Sequence, residues 1–138
     1  MSDPNQRKHL ILSLPDWVPL LYSGACIFLI PWTILLSYLL PRHYNSHNWD
    51  LAWVGFDILE IILFGLTAFL AFKKSLWTSL CSGMLSILLL VDAWFDVLTS
   101  KPGISRDRSI LEALIIELPL FLLSIYISIR MFQKINNY

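Results

Sequence analysis

Four long apolar stretches dominate this chain of 138 residues. They cover residues 17–40, 49–72, 75–98 and 109–130, in each case to within a few residues. An α-helix needs about 20 residues to cross about 30 Å of hydrocarbon, because each residue adds about 1.5 Å. A helix also satisfies its backbone polar groups within its own segment, as lipid requires. The pattern predicts an all-α integral membrane protein in which residues 1–138 form one transmembrane domain.

The connections between the four stretches are short, so neighbouring helices should run antiparallel in an up-down-up-down four-helix bundle. Composition agrees with a membrane location, because 57% of the residues are hydrophobic and only 14% are charged. The formal net charge is zero, which gives no support for nucleic acid as a partner. The two cysteines, Cys26 and Cys81, lie far apart in apolar segments and are predicted to be buried thiols.

Basic residues outside the spans predict the orientation. Six of them lie in the N-terminal tail, the middle loop and the C-terminal tail, and four lie in the first and third loops. The six are Arg7, Lys8, Lys73, Lys74, Arg130 and Lys134, and the four are Arg42, Lys101, Arg106 and Arg108. The positive-inside rule therefore predicts a multi-pass protein of the inner (plasma) membrane with both termini in the cytoplasm.

Six carboxylic acids lie inside the apolar stretches, at least two residues from either end, and no lysine or arginine lies there with them. They are Asp57, Glu60, Asp92, Asp96, Glu112 and Glu117. A charged side chain at the bilayer centre costs about 2.5–3.5 kcal/mol on insertion scales. These acids therefore need cations, protons or water around them, and they are the first place to look for function.

Three of the acids are predicted to converge. Counted inward from the first and third loops, Asp57, Asp92 and Glu117 fall in one slab about 9–12 Å below the surface. Glu60 lies one turn deeper than Asp57. Glu112, rotated about 140° from Glu117 on a regular helix, is predicted to point away from the shared face.

Clustered carboxylates suit hard cations such as protons, Na⁺, Mg²⁺, Ca²⁺ or Mn²⁺. The leading hypothesis is therefore a small membrane protein that binds a cation, either a proton or a metal ion, and moves it. Asp57, Asp92 and Glu117 would bind the cation, Glu60 would serve as a deeper relay, and Asp96 would lie at the entrance.

Two histidines widen the choice of ligand. His43 and His47 are four residues apart in the first loop. With the carboxylates they could hold zinc, iron or manganese, which makes a divalent metal ion a candidate cofactor. A solvated loop explains the same spacing, because a loop does not impose helical geometry on the two side chains.

Other functions use the same residues. An intramembrane enzyme acting on a lipid or isoprenoid would use the acids as general acid and base or as metal ligands. Arg106 and Arg108 could then hold the phosphate of a headgroup. A third hypothesis is a non-catalytic subunit of a membrane complex. The expected partners are the lipid bilayer and a cation or lipid-like small molecule, and the length is compatible with a homodimer.

Small and hydroxylated residues also form patterns. Ser75, Ser79 and Gly83 are spaced by four residues and predict a flat stripe for close helix packing rather than a catalytic serine. Ser124 and Ser128 continue the line of Glu117 along the fourth stretch to within about 20°.

Three segments resemble those of an uncharacterised family of small bacterial four-span integral membrane proteins. They are DLAWVGFD at 50–57, VDAWFDV at 91–97 and ELPL at 117–120. The resemblance extends over most of the chain, from the first span to the fourth. It implies a bacterial inner-membrane protein with four spans, and it implies no particular activity.

Overall fold

The computed structural model describes residues 14–40 and 47–136, and most of these residues are helical. The first three helices are α1 (Trp17–Leu39), α2 (Trp49–Phe72) and α3 (Trp77–Thr99). The fourth, α4, consists of Ile104–Glu112, a π-helical turn Ala113–Glu117, and Leu118–Asn136. The predicted all-α class is confirmed.

Within the described ranges, four helices are long and apolar enough to cross a membrane. The second has the predicted bounds, and the first ends one residue earlier than predicted. The third is shifted by one or two residues at each end. The prediction for α4 was wrong at both ends, because the helix begins at Ile104 and continues to Asn136. Arg106 and Arg108 therefore lie in the first turns of α4 and not in a loop.

The chain divides into two compact units, each containing one antiparallel helix pair. The first hairpin, Leu14–Lys74, contains α1 and α2. The rings of Tyr22 and Phe64 pack with their centroids 5.8 Å apart, and the Cys26 thiol donates a hydrogen bond to the Ile61 carbonyl at 3.4 Å. The buried residues of α2 recur every three or four positions, as one helix face requires. They are Asp57, Glu60, Leu63, Phe64, Thr67, Ala68 and Ala71.

The second hairpin contains α3 and α4, which are joined by polar contacts at two levels. Far from the connecting turn, the Ser79 and Ser128 hydroxyls each donate to the other residue's carbonyl at 2.8 Å. At the turn, the Arg106 guanidinium donates to the Ser100 carbonyl at 3.1 Å. The turn contains Gly103, whose backbone φ of 103° is rarely adopted by residues that carry a side chain.

The predicted small-residue stripe is confirmed for Ser79 and Gly83. A Cβ atom added at Gly83 would lie 2.9 Å from Ser128 Oγ, so glycine permits the close approach of the two helices. Ser75 has a different role. It precedes α3, and its hydroxyl accepts a hydrogen bond from the Trp77 amide at 3.3 Å.

The π-helical turn of α4 lies immediately before Pro119. Proline has no N–H group, and its ring clashes with the carbonyl four residues earlier in a regular α-helix. The helix responds with one wider turn, in which the Leu118 amide donates to the carbonyl of Ala113, five residues back. Glu117 is the last residue of this turn. The proline is visible in the sequence, but the choice between a simple kink and a π-turn depends on the packing of α4.

Candidate functional site

The six intramembrane acids are divided between the two hairpins. Asp57 and Glu60 belong to α2, and the other four belong to α3 and α4. The predicted inner layer combines Asp57 from the first hairpin with Asp92 and Glu117 from the second, so its convergence stays a prediction. The structure describes the surroundings of each group of acids within its own hairpin.

In the first hairpin, both acids lie on the buried face of α2. Asp57 is 5% exposed and Glu60 is 2% exposed. The hydroxyl of Thr33, from α1, donates a buried hydrogen bond to Asp57 Oδ2 at 3.2 Å. Thr33 was not predicted as a site residue, although a lone threonine in the middle of an apolar span is a signal that the sequence offers.

A second threonine on α2 was also missed. Thr67 is fully buried, and its hydroxyl has no hydrogen-bond partner. It follows Glu60 by seven residues, which places the two side chains within about 20° of one line along the helix. The buried face of α2 therefore carries three polar side chains, Asp57, Glu60 and Thr67, within an apolar hairpin.

In the second hairpin, Glu117 is the most buried acid. It is 9% exposed, and its Oε2 atom is buried without a hydrogen-bond partner. Asp96 of α3 and Glu112 of α4 are both half-buried, and the charges of both act on Glu117. The charges of Asp96 and Glu112 thus both oppose a negative charge on Glu117, which is the most buried of the three acids.

The π-turn changes the expected relation between the two acids of α4. Five residues of regular α-helix leave about 140° between Glu112 and Glu117. A turn closed by a bond from residue i to i+5 uses more residues for one revolution, so the angle between these side chains becomes smaller. The expectation that Glu112 points away from the site assumed an unbroken α-helix, so the angle of about 140° does not apply to this helix.

Asp92 and Asp96 lie one turn apart on α3 and are both half-buried. Asp96 is the residue of this pair whose charge acts on Glu117. The sequence predicts Asp92 beside Glu117 and Asp96 at the entrance. Because the Glu117 side chain points back toward the start of α4, a carboxylate near the connecting turn comes within its reach.

The metal-site prediction has only a partial outcome. Within residues 14–40 and 47–136, no group of three or more His, Cys, Asp or Glu residues is arranged to hold a metal ion. His43 lies outside the described residues, and His47 is exposed. Cys26 and Cys81 are free thiols, and each is half-buried rather than fully buried as predicted.

Arg106 has a structural contact and one unused donor. Its Nη2 group donates to the Ser100 carbonyl across the α3–α4 turn, whereas its Nε atom is buried without a hydrogen-bond partner. Arg108, its predicted companion in phosphate binding, is exposed. Of the two arginines, Arg106 is therefore the one fixed by the fold.

Together, the four apolar helices and the buried carboxyl groups define a multi-pass helical membrane protein with acids inside both hairpins. Comparisons with models of protein families, with curated proteins and with solved structures find no match. The resemblance to small bacterial four-span membrane proteins stays a prediction.

Proposed function

We propose that this protein binds a proton within the membrane at Glu117 and passes it to and from the α3–α4 turn. The observation that carries the proposal is the buried Oε2 atom of Glu117, which has no hydrogen-bond donor. An ionised carboxylate without donors is costly in apolar surroundings, and a bound proton removes that cost. A proton requires one carboxyl oxygen, whereas Mg²⁺ or Ca²⁺ requires six or more oxygen ligands.

Asp96 and Glu112 give the proton a route. Asp96 lies three residues before the end of α3, and Glu112 lies one π-helical turn from Glu117. Because the charges of both acids act on Glu117, a proton bound by Asp96 or Glu112 would make it easier for Glu117 to release its own proton.

Asp57 and Glu60 provide a second buried pair of acids in the first hairpin. The Thr33 hydroxyl gives Asp57 a donor, whereas Glu117 has none for its Oε2 atom. We therefore assign the exchangeable proton of this proposal to Glu117 rather than to Asp57.

The proposal is tested by proton flux into liposomes that contain the full-length protein and a pH-sensitive dye. Glu117→Gln keeps the size and hydrogen bonding of the side chain but cannot exchange a proton. We expect it to reduce the proton flux under an imposed potential by at least about tenfold. One positioned acid or base typically accelerates a proton transfer by about 10²–10⁴-fold. Asp107→Asn is the matched control, because Asp107 is an exposed acid of the same helix.

Infrared difference spectroscopy on the same variants separates proton binding from proton movement. We expect a band from a protonated carboxyl group that disappears in Glu117→Gln and persists in Asp107→Asn. Flux that is unaffected by Glu117→Gln, or an infrared band that persists in this variant, would contradict the proposal. Thermal unfolding of each variant shows whether a loss of flux reflects a loss of folded protein.

A second candidate function, an intramembrane enzyme acting on a phosphorylated lipid, is favoured by Arg106. Its Nε donor is buried without an acceptor, and a phosphate oxygen would satisfy it. Arg106→Gln should then weaken binding of a lipid phosphate while leaving proton flux unchanged. Conversion of lipid, detected by mass spectrometry and lost in this variant, would favour the enzyme over the proton-binding protein.

The orientation in the membrane is inferred from the basic residues that flank the spans. We propose that the protein lies in a bacterial inner membrane with both termini in the cytoplasm, because six basic residues flank that side and four flank the other.

A further inference from the structure

The first hairpin has a groove of about 230 Å³ between the start of α1 and the end of α2. Its apolar wall includes Pro19, Leu20, Ala71 and Phe72. A bound water molecule needs roughly 10–15 Å³ of such space, so the groove has room for a ligand with several non-hydrogen atoms.

The groove lies where two apolar spans end. α1 begins at Trp17 and α2 ends at Phe72, and the rings of both residues are more than half exposed. Aromatic side chains at span ends are typical of the level at which hydrocarbon meets lipid headgroups. A ligand in the groove would therefore have its apolar part beside the spans and its polar part in the headgroup region.

Two opposite charges line the same groove. Asp16 and Lys74 are both exposed. Asp16 occupies the N-cap position of α1, but its side chain makes no capping hydrogen bond, so the carboxylate is available to a ligand. Lys74 follows the end of α2 with a positive φ of 53°, a conformation uncommon for a residue other than glycine.

We propose that this groove binds a phospholipid whose headgroup carries both a phosphate and a primary ammonium group, as phosphatidylethanolamine does. Lys74 would contact the phosphate, and Asp16 would accept hydrogen bonds from the ammonium group. One acyl chain would lie against Leu20 and Phe72. The paired charges favour a zwitterion, because an anionic headgroup satisfies Lys74 and is repelled by Asp16.

The primary ammonium group of the headgroup should also distinguish phosphatidylethanolamine from phosphatidylcholine. A choline headgroup has the same charges but carries no N–H donor, so it cannot form hydrogen bonds with the Asp16 carboxylate. The order of affinity should therefore place phosphatidylethanolamine above phosphatidylcholine and phosphatidylglycerol.

The test measures lipid binding to the full-length protein in detergent by native mass spectrometry. The three probes are phosphatidylethanolamine, phosphatidylcholine and phosphatidylglycerol with identical acyl chains. We expect the wild-type protein to prefer phosphatidylethanolamine by about threefold to fivefold, the ratio given by an exposed charge contact. Asp16→Asn should remove this preference over phosphatidylcholine, and Lys74→Gln should weaken binding of both phosphatidylethanolamine and phosphatidylglycerol.

Lys73→Gln is the matched control. The Lys73 ammonium lies over the Phe69 ring, 5.4 Å from its centroid, and Lys73 does not line the groove. Its substitution removes the same charge from the adjacent position and should leave the lipid preference intact. Circular dichroism of each variant verifies that the comparison is made on folded protein.

Three outcomes would overturn the proposal. Equal affinity for the three lipids would mean that the groove does not recognise the headgroup. Highest affinity for phosphatidylglycerol, unaffected by Asp16→Asn, would indicate attraction of anionic lipid to Lys74 alone. An equal effect of Lys73→Gln and Lys74→Gln would indicate a general effect of positive charge at this end of the hairpin.

Discussion

Ser79 and Ser128 form a reciprocal pair across the second hairpin, in which each hydroxyl donates a hydrogen bond of 2.8 Å to the backbone carbonyl of the other residue. The pair fixes the register of α3 against α4, because a shift of either helix by one residue would break both bonds. This register also determines which acid of α3 comes near Glu117. A packing contact therefore controls the geometry of the candidate proton site in the same hairpin.

Gly83 is expected to tolerate no side chain while Ser128 is present. A Cβ atom at position 83 would lie 2.9 Å from Ser128 Oγ, and this hydroxyl cannot rotate away without losing its bond to Ser79. We expect Gly83→Ala to lower the free energy of unfolding by about 1–3 kcal/mol, the usual cost of overpacking. Unfolding in mixed detergent micelles measures the change.

Gly55→Ala is the control for this substitution, because a Cβ atom there would have no neighbour within 4 Å. It should be neutral or stabilising by up to about 1 kcal/mol, owing to the better helix propensity of alanine. In a Ser128→Ala background, Gly83→Ala should lose most of its cost. An unchanged cost in that background would show that Ser128 is not the obstacle.

The serine pair should couple α3 to α4 energetically. Each substitution removes one donor and one bond, and loss of either bond loosens the helix register that holds the other, so the effects of Ser79→Ala and Ser128→Ala should not add. A double-mutant cycle should give a coupling free energy of about 0.6–1.7 kcal/mol, as for other interhelical hydrogen bonds in membranes. Additive effects would mean that the two hydroxyls contribute independently.

Thr33 should stabilise the first hairpin through its bond to Asp57. Thr33→Val keeps the shape of the side chain and removes the hydroxyl donor, so Asp57 loses its partner in a buried position. We expect a loss of about 1–2 kcal/mol in the free energy of unfolding. Thr33→Ser retains the donor and should lose less. A larger loss in Thr33→Ser than in Thr33→Val would point to the methyl group rather than the hydroxyl.

Topology can be tested by cysteine labelling in a background that lacks Cys26 and Cys81. Cysteines at Ser46, in the first connection, and at Ser105, an exposed residue in the first turn of α4, should both react with a membrane-impermeant reagent applied from outside. The expectation rests on the positive-inside rule. Equal labelling from both sides would show that the chain inserts in two orientations.

Much of the fold follows from local properties of the sequence. Span length and hydropathy predicted the four helices, and α2 begins and ends at the predicted residues, Trp49 and Phe72. The spacing of Ser79 and Gly83 predicted a packing stripe, because residues four apart share a helix face whatever the rest of the chain does. The start of α4 was missed because its first turns carry Arg106, Asp107 and Arg108, whose polarity is typical of a loop.

The candidate site depended on the tertiary structure. The sequence alone determined that six acids lie in apolar helices, since that follows from composition and segment length. It did not determine that Thr33 donates to Asp57, because a hydrogen bond between α1 and α2 depends on how the two helices pack. The relation between Glu112 and Glu117 was likewise decided by the π-turn before Pro119. A single extra residue in one turn rotates every side chain beyond it, and only the packed helix reveals whether the chain adopts that turn.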